Sequence, residues 1–255
     1  MAAAPSSQDS ERLTRAHVIP FVAFMAFMIA LMLVGAAVEW KHPDAPWWRQ
    51  DPAQIVYPIQ TLVTLGILVH FRRLYTFTWS WKWSLAGVAF GTVGIGFWLL
   101  PTVLYEAWGM TGNASGVLEL LGFAERKDGF DPGIFDHPAA YWTSLVLRFF
   151  RAAVVVALVE EIFWRGFLMR FICDWEGDYW KQPFGRARWL SYGIVTALFV
   201  LAHSSVDYAG AFIYGSLTYL LCVWSKSLGA CVIMHATANF LMGVYIMRTG
   251  NYGLW

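Results

Sequence analysis

The sequence predicts an all-α fold, a polytopic transmembrane bundle of about seven to eight helices, and three observations predict it. Hydrophobic residues make up 58% of the 255 and charged residues only 14%, with a mean hydropathy of +0.50; those values lie outside the range of water-soluble globular chains. Several windows reach the ~20 apolar residues that cross ~30 Å of hydrocarbon at ~1.5 Å per residue. Those windows also lack the alternation of a barrel strand. Lipid offers no partner to an unpaired backbone amide, so helices are required.

In chain order the apolar windows run over residues 18–38, 54–71, 84–104, 147–170, 189–206, 209–225 and 228–247. The first is longer than the apolar core of a signal peptide and precedes no clear small-residue cleavage site, so it is read as a retained helix. Its stripe of Phe21, Phe24, Met25, Met28 and Met32 is read as packing or lipid contact rather than a cofactor site. Trp47, Trp48, Trp79, Trp81, Trp175, Trp180 and Trp189 fall near window ends, where amphipathic rings prefer to sit. The longest connection, Glu106 to Tyr141, carries Pro and Gly but also many apolar residues, which predicts a structured or half-buried loop rather than a flexible linker. No internal repeat or low-complexity tract divides the chain, so residues 1–255 are read as a single membrane-embedded domain.

Orientation follows from basic residues in short loops. Arg12 and Arg15 precede the first window, Arg72, Arg73 and Lys82 follow the second, and Lys181, Arg186 and Arg188 precede the fifth. These segments are assigned to the cytoplasmic face, with the N-terminus cytoplasmic and a bacterial inner membrane as the expected location. Lys41, Arg49, Arg126, Lys127, Arg148 and Arg151 then fall on the other side, in and around the segment Glu39 to Pro52 and the long connection. Cys173, Cys222 and Cys231 are odd in number and widely spaced in apolar surroundings, which fits core thiols better than a disulfide framework or a metal knuckle. The formal net charge of +1 gives no reason to expect a nucleic-acid partner.

The informative residues are the polar ones inside the windows: Glu160, Glu161 and Arg165 in the fourth, His203 in the fifth, His235 and Asn239 in the seventh. Such groups are costly in lipid and usually face a cavity or each other. Counted from the cytoplasmic ends at ~1.5 Å per residue, Glu160 and His235 lie about 15 Å deep and His203 roughly 22 Å; helix tilt can bring them to one level. Glu161 and Arg165 are four apart and can pair along one face, whereas Glu160 lies about 100° around the helix and can point elsewhere. His235 and Asn239, also four apart, can face one cavity. Each feature also has an ordinary reading, since a Glu–Arg pair can join helices and a membrane His or Asn is commonly interhelical glue. Their convergence on three helices favours chemistry.

A carboxylate and an imidazole sharing a water can activate it as a nucleophile. A second imidazole and a carboxamide opposite can hydrogen-bond the oxyanion formed when that water attacks an amide. This set fits peptide-bond hydrolysis. Neither a G-x-S-x-G elbow nor an H-E-x-x-H helix occurs, and no catalytic-cysteine signature accompanies the histidines. Two His with one or two Glu are an acceptable zinc set, but they lack compact ligand spacing. A zinc-dependent membrane protease, a non-catalytic membrane binding or scaffold protein, and a proton-coupled transporter using Glu160 and His203 as a relay are the competing readings.

Three motifs occur in order: "EEIFWR" (Glu160 to Arg165) as E-E-x-x-x-R, "FVLAH" (Phe199 to His203) as F-x-x-x-H, and "HATAN" (His235 to Asn239) as H-x-x-x-N. Together they resemble the CPBP (CAAX protease and bacteriocin-processing) family of intramembrane glutamate proteases, which includes the CAAX prenyl endopeptidases. The resemblance covers residues 146–247, taken as the catalytic core. It implies that Glu160 and His203 activate water, that His235 and Asn239 stabilise the oxyanion, and that Glu161 and Arg165 support the site. It implies no metal and no cofactor. The implied partner is a peptide or protein substrate, lipid-modified or membrane-anchored, within the lipid bilayer; the identity of that substrate is left open.

Overall fold

The computed structural model describes residues 7–37, 52–112, 115–129 and 131–255. Trp47, Trp48, Lys41, Arg49, the segment they belong to and the last residue of the first window lie outside the described residues. The helices are α1 (Ser7–Ala37), α2 (Ala53–Phe71), α3 (Trp81–Ala107), the single turn α4 (Val117–Leu120), α5 (Pro138–Cys173), α6 (Trp189–Leu201), α7 (Tyr208–Ser225) and α8 (Leu228–Thr249). No strand occurs among the described residues. The protein is an all-α polytopic bundle.

Six segments are long and apolar enough to cross a membrane among the described residues, built on α1, α2, α3, α5, α7 and α8. The fifth window, 189–206, is the exception. Its helix α6 has 13 residues, about 20 Å at ~1.5 Å each and short of the ~30 Å core. The α-helical pattern ends with the Ala202 N–H bonded to Leu198; beyond it the His203 N–H turns to Val200, three residues back, and the His203 ring takes the Phe199 carbonyl, which satisfies carbonyls at the helix end. A 3₁₀ turn, Ser205–Asp207, then leads into α7. His203 thus sits in a turn just past a helix end rather than inside a spanning helix.

A second correction concerns α5, which starts nine residues before its window, at Pro138, where the His137 ring accepts from the Ala139 N–H at 3.2 Å. Proline is favoured at a first helical position, where its missing N–H costs nothing. Arg148 and Arg151, at the outer end of the fourth window, lie inside this helix and are buried. Arg151 donates from Nε to Gln60 Oε1 at 2.9 Å, and its guanidinium lies 4.1 Å from the Tyr57 ring centroid. Gln60 in turn donates to the Phe24 carbonyl at 2.8 Å, so the cation is embedded in α1 and α2 by polar and π contacts. The helix is also not uniformly α: Arg151–Val156 and Ile162–Leu168 are π-helical, around the α turn Ala157–Glu161. Such wide turns interrupt the regular backbone pairing and recur at functional sites.

Close backbone approach positions α8. A Cβ on Gly87 would lie 2.7 Å from the Ala230 carbonyl oxygen, and one on Gly91 would lie 2.4 Å from that of Met234. The G-x-x-x-G spacing on α3 thus admits the α8 backbone, next door to His235. α7 and α8 form a hairpin through Lys226, which holds a left-handed backbone (φ 50°), and Ser227, whose hydroxyl caps α8 by accepting from the Ala230 N–H at 3.1 Å. At one end of the bundle, Thr14 bonds Tyr179 (2.7 Å) and Trp180 (3.0 Å), and Tyr75 bonds the Ala16 carbonyl (2.9 Å). Those contacts bring the three basic segments to one end; Trp79, Trp81, Trp175 and Trp189 are exposed. In the α1 stripe, Phe21 stacks on Phe163 at 4.0 Å and Phe24, Met25 and Met28 join the core, whereas Met32 faces outward.

Where described, the connection from Glu106 to Tyr141 is structured. Arg126 pairs with Asp207 at 2.6 Å, its carbonyl accepts from the Gly253 N–H at 2.8 Å, and Ser205 donates to Glu119 at 2.8 Å. These contacts clamp the turn that carries His203. The three cysteines are free and buried.

Candidate active site

Glu160, His203, His235 and Asn239 line one cavity of about 200 Å³. They come from α5, the turn after α6, and α8. Trp98, Phe199, Asp207, Tyr214 and the C-terminal Trp255 share the walls. Its lining residues come from α3, α5, α6 and the turn after it, α7, α8 and the C-terminal end, with aromatic rings among them.

Glu161, adjacent in sequence to Glu160, points elsewhere, as the ~100° rotation per residue requires. Its side chain is 0% exposed, and its Oε1 accepts from Arg165 at 3.3 Å and from His235 Nδ1 at 2.8 Å. The pairing with Arg165 was legible from the spacing of four; the bond to His235, 74 residues away, had no signature in the sequence. Arg165 is 1% exposed, donates to the Gly215 carbonyl at 3.4 Å and lies 5.3 Å from the Phe199 ring centroid. Glu161 thus ties α5 to α8, and Arg165 ties α5 to α7.

Each cavity residue spends one polar atom on the frame. His203 donates from Nδ1 to the Phe199 carbonyl at 2.7 Å, which leaves Nε2 as its other ring nitrogen. The first and last residues of F-x-x-x-H are thereby joined, and Trp98 packs edge-on against the same imidazole at 5.2 Å. His235 is committed through Nδ1, as above. Asn239 donates from Nδ2 to the Ala152 carbonyl at 2.8 Å, inside the first π-helical segment. One amide hydrogen of Asn239 remains uncommitted, since a carboxamide carries two. Glu160 accepts a long hydrogen bond, 3.4 Å, from Trp164 Nε1 and stays partly exposed to the cavity.

Chemically, the arrangement offers a carboxylate with little structural duty, an imidazole with a fixed tautomer, and a second imidazole backed by a buried carboxylate. Among the described residues, no group of three or more His, Cys, Asp and Glu side chains is placed to hold a metal ion. Sequence reasoning missed Trp98, Tyr214 and Trp255, because an aromatic in an apolar run carries no mark of a cavity wall.

A family model described as type II CAAX prenyl endopeptidase Rce1-like matches residues 142–241. The matched stretch contains all three motifs and the α5, α6, α7 and most of the α8 residues around the cavity. No curated protein and no solved structure matches the chain.

Proposed function

We propose, from the match of residues 142–241 to the type II CAAX prenyl endopeptidase Rce1-like model and the three motifs within it, that this protein is an intramembrane endopeptidase of the CPBP type working by glutamate- and histidine-activated water. The observation that carries the reading is the single cavity shared by Glu160, His203, His235 and Asn239. The catalytic core is residues 146–247.

In the mechanism, water is held between the Glu160 carboxylate and Nε2 of His203. As its oxygen attacks the scissile carbonyl carbon, its proton passes to Glu160. The carbonyl π electrons move onto oxygen, and that oxyanion accepts hydrogen bonds from Nε2–H of His235 and the second amide hydrogen of Asn239. Because His235 Nδ1 already donates to Glu161, donation from Nε2 requires the doubly protonated ring; the Glu161 carboxylate compensates its charge. The tetrahedral species collapses, the C–N bond breaks, and protonated Glu160 returns its proton to the leaving amine. The products are a new carboxyl terminus and a free amine.

The substrate in this reading is a membrane-anchored or lipid-modified peptide, which reaches a site embedded between spanning helices. The end carrying Arg12, Arg72, Arg73, Lys181 and Arg186 is cytoplasmic, with the N-terminus on that side of a bacterial inner membrane. The test is cleavage of a peptide panel, farnesylated and unprenylated, by wild type and Glu160→Gln in proteoliposomes. The expected result is cleavage by wild type and loss of about 10³-fold or more in the variant, with unchanged melting temperature. Wild-type rates in Glu160→Gln, or no cleavage of any panel member by wild type, would overturn the proposal.

A further inference from the structure

We propose that the Tyr214 hydroxyl is an additional substrate-contacting donor of this cavity, hydrogen-bonding the scissile carbonyl oxygen as it becomes the oxyanion; this rests on the hydrolytic reading above. Tyr214 lies on α7, is 3% exposed, and lines the same cavity as Glu160, His203, His235 and Asn239. Its ring is firmly seated. A Cβ on Gly94 would come within 2.8 Å of Tyr214 Cδ2, so the glycine of α3 makes the space that the ring occupies. Phe199 lies nearly parallel to it at 6.2 Å, and His235 stands edge-on at 5.7 Å.

Two donors of the cavity wall are buried without a partner among the described residues, the Tyr214 hydroxyl and Trp255 Nε1; the Trp255 ring packs on Phe149 and Arg148, whereas the Tyr214 ring contacts His235. Glu160 is engaged by Trp164, His203 by the Phe199 carbonyl, His235 by Glu161 and Asn239 by the Ala152 carbonyl. The Tyr214 hydroxyl is buried and has no hydrogen-bond partner among the described residues. A phenylalanine would fill the same ring site without burying an unpaired donor, and buried polar groups are otherwise almost always paired. A group that enters during turnover explains the hydroxyl. The direct ring contact with His235 puts Tyr214 with the oxyanion-binding half of the site, while Trp98 and Phe199 each contact both the Tyr214 and the His203 rings. The phenol donates a hydrogen bond and keeps its proton, so the proton transfers between water, Glu160 and the leaving amine are unchanged.

Tyr214→Phe keeps the ring and removes the donor. With an internally quenched peptide ending in a farnesylated cysteine plus three residues, or whichever panel member wild type cleaves best, kcat should fall about 10²-fold with KM within about twofold, the size of effect of one lost oxyanion donor. Affinity for the matching phosphonate peptide, a mimic of the tetrahedral state, should fall by the same factor, while affinity for the product peptide and the melting temperature hold. A kcat within twofold of wild type would overturn the assignment, as would a fall in which mimic and product affinities drop together with the melting temperature, the signature of lost packing. If Glu160→Gln is inactive while Tyr214→Phe is fully active, only the role of Tyr214 falls; if Glu160→Gln cleaves like wild type, or wild type cleaves no panel member, the hydrolytic reading falls and takes this one with it.

Discussion

Glu160 and Glu161 are the same residue type, one position apart, in environments that give them different work. Glu160 faces the cavity with one long bond to Trp164. Glu161 is fully buried, with Arg165 and His235 on one oxygen and no partner for Oε2 among the described residues. Removing one partner of such a group strands the other charge in a low dielectric, at a cost of about 3–5 kcal/mol. Arg165→Ala should therefore lower the melting temperature and the yield of folded protein in detergent as well as activity, because Gly215 also loses its donor. A variant that melts like wild type would show that Arg165 does not hold α5 to α7. The contrast with Glu160→Gln, expected to lose activity at constant stability, separates chemistry from scaffolding at adjacent positions.

At the scale of elements, the site depends on how closely α3 approaches α8. Without a hydrophobic driving force between helices in lipid, small residues that allow tight van der Waals contact set the approach. Gly91 and Gly96 on α3 provide an internal comparison. A methyl at Gly91 would meet the Met234 carbonyl oxygen at 2.4 Å, whereas one at Gly96 meets nothing within 4 Å. Gly91→Ala should push α8 away and displace His235, the residue after Met234, with a lower melting temperature and a loss of activity. Gly96→Ala should be neutral or stabilising by about 0.5–1 kcal/mol, as expected for Gly to Ala inside a helix. Equal behaviour of the two variants would contradict the close approach. The π-helical segments of α5 belong to this scale too: Asn239 donates to the Ala152 carbonyl in one of them, which joins α5 to α8.

For the whole molecule, the choice that most affects mechanism is glutamate against zinc chemistry. His235 spends Nδ1 on Glu161 and His203 spends Nδ1 on Phe199, so each has one ring nitrogen for the reaction. If these act on water and oxyanion as proposed, activity at fixed pH should survive exhaustive chelation, and the purified protein should carry no stoichiometric metal. Loss of activity on chelation with recovery on adding Zn²⁺, together with about one zinc per chain, would move both histidines to ligand roles.

Composition alone determined that the chain is a helical membrane bundle, because an apolar solvent requires every backbone amide to pair within its own helix. Helical spacing determined that Glu161 can reach Arg165 and that Glu160 turns away, since a period of ~3.6 residues is a local property. The three motifs carried the resemblance to a protease family and marked out the polar residues of the cavity. Tertiary structure alone decided that His203 follows a helix rather than riding in one, where its ring takes the Phe199 carbonyl and its backbone N–H the Val200 carbonyl. It also decided that Arg148 and Arg151 are buried, since their partners on α1, on α2 and at Trp255 are invisible to a hydropathy window. The bond from Glu161 to His235 and the unpaired hydroxyl of Tyr214 likewise exist only once α5, α7 and α8 meet. Periodicity reports which face of one helix a residue occupies; it carries no record of which helix lies opposite, and that pairing is what brings four polar side chains to one cavity.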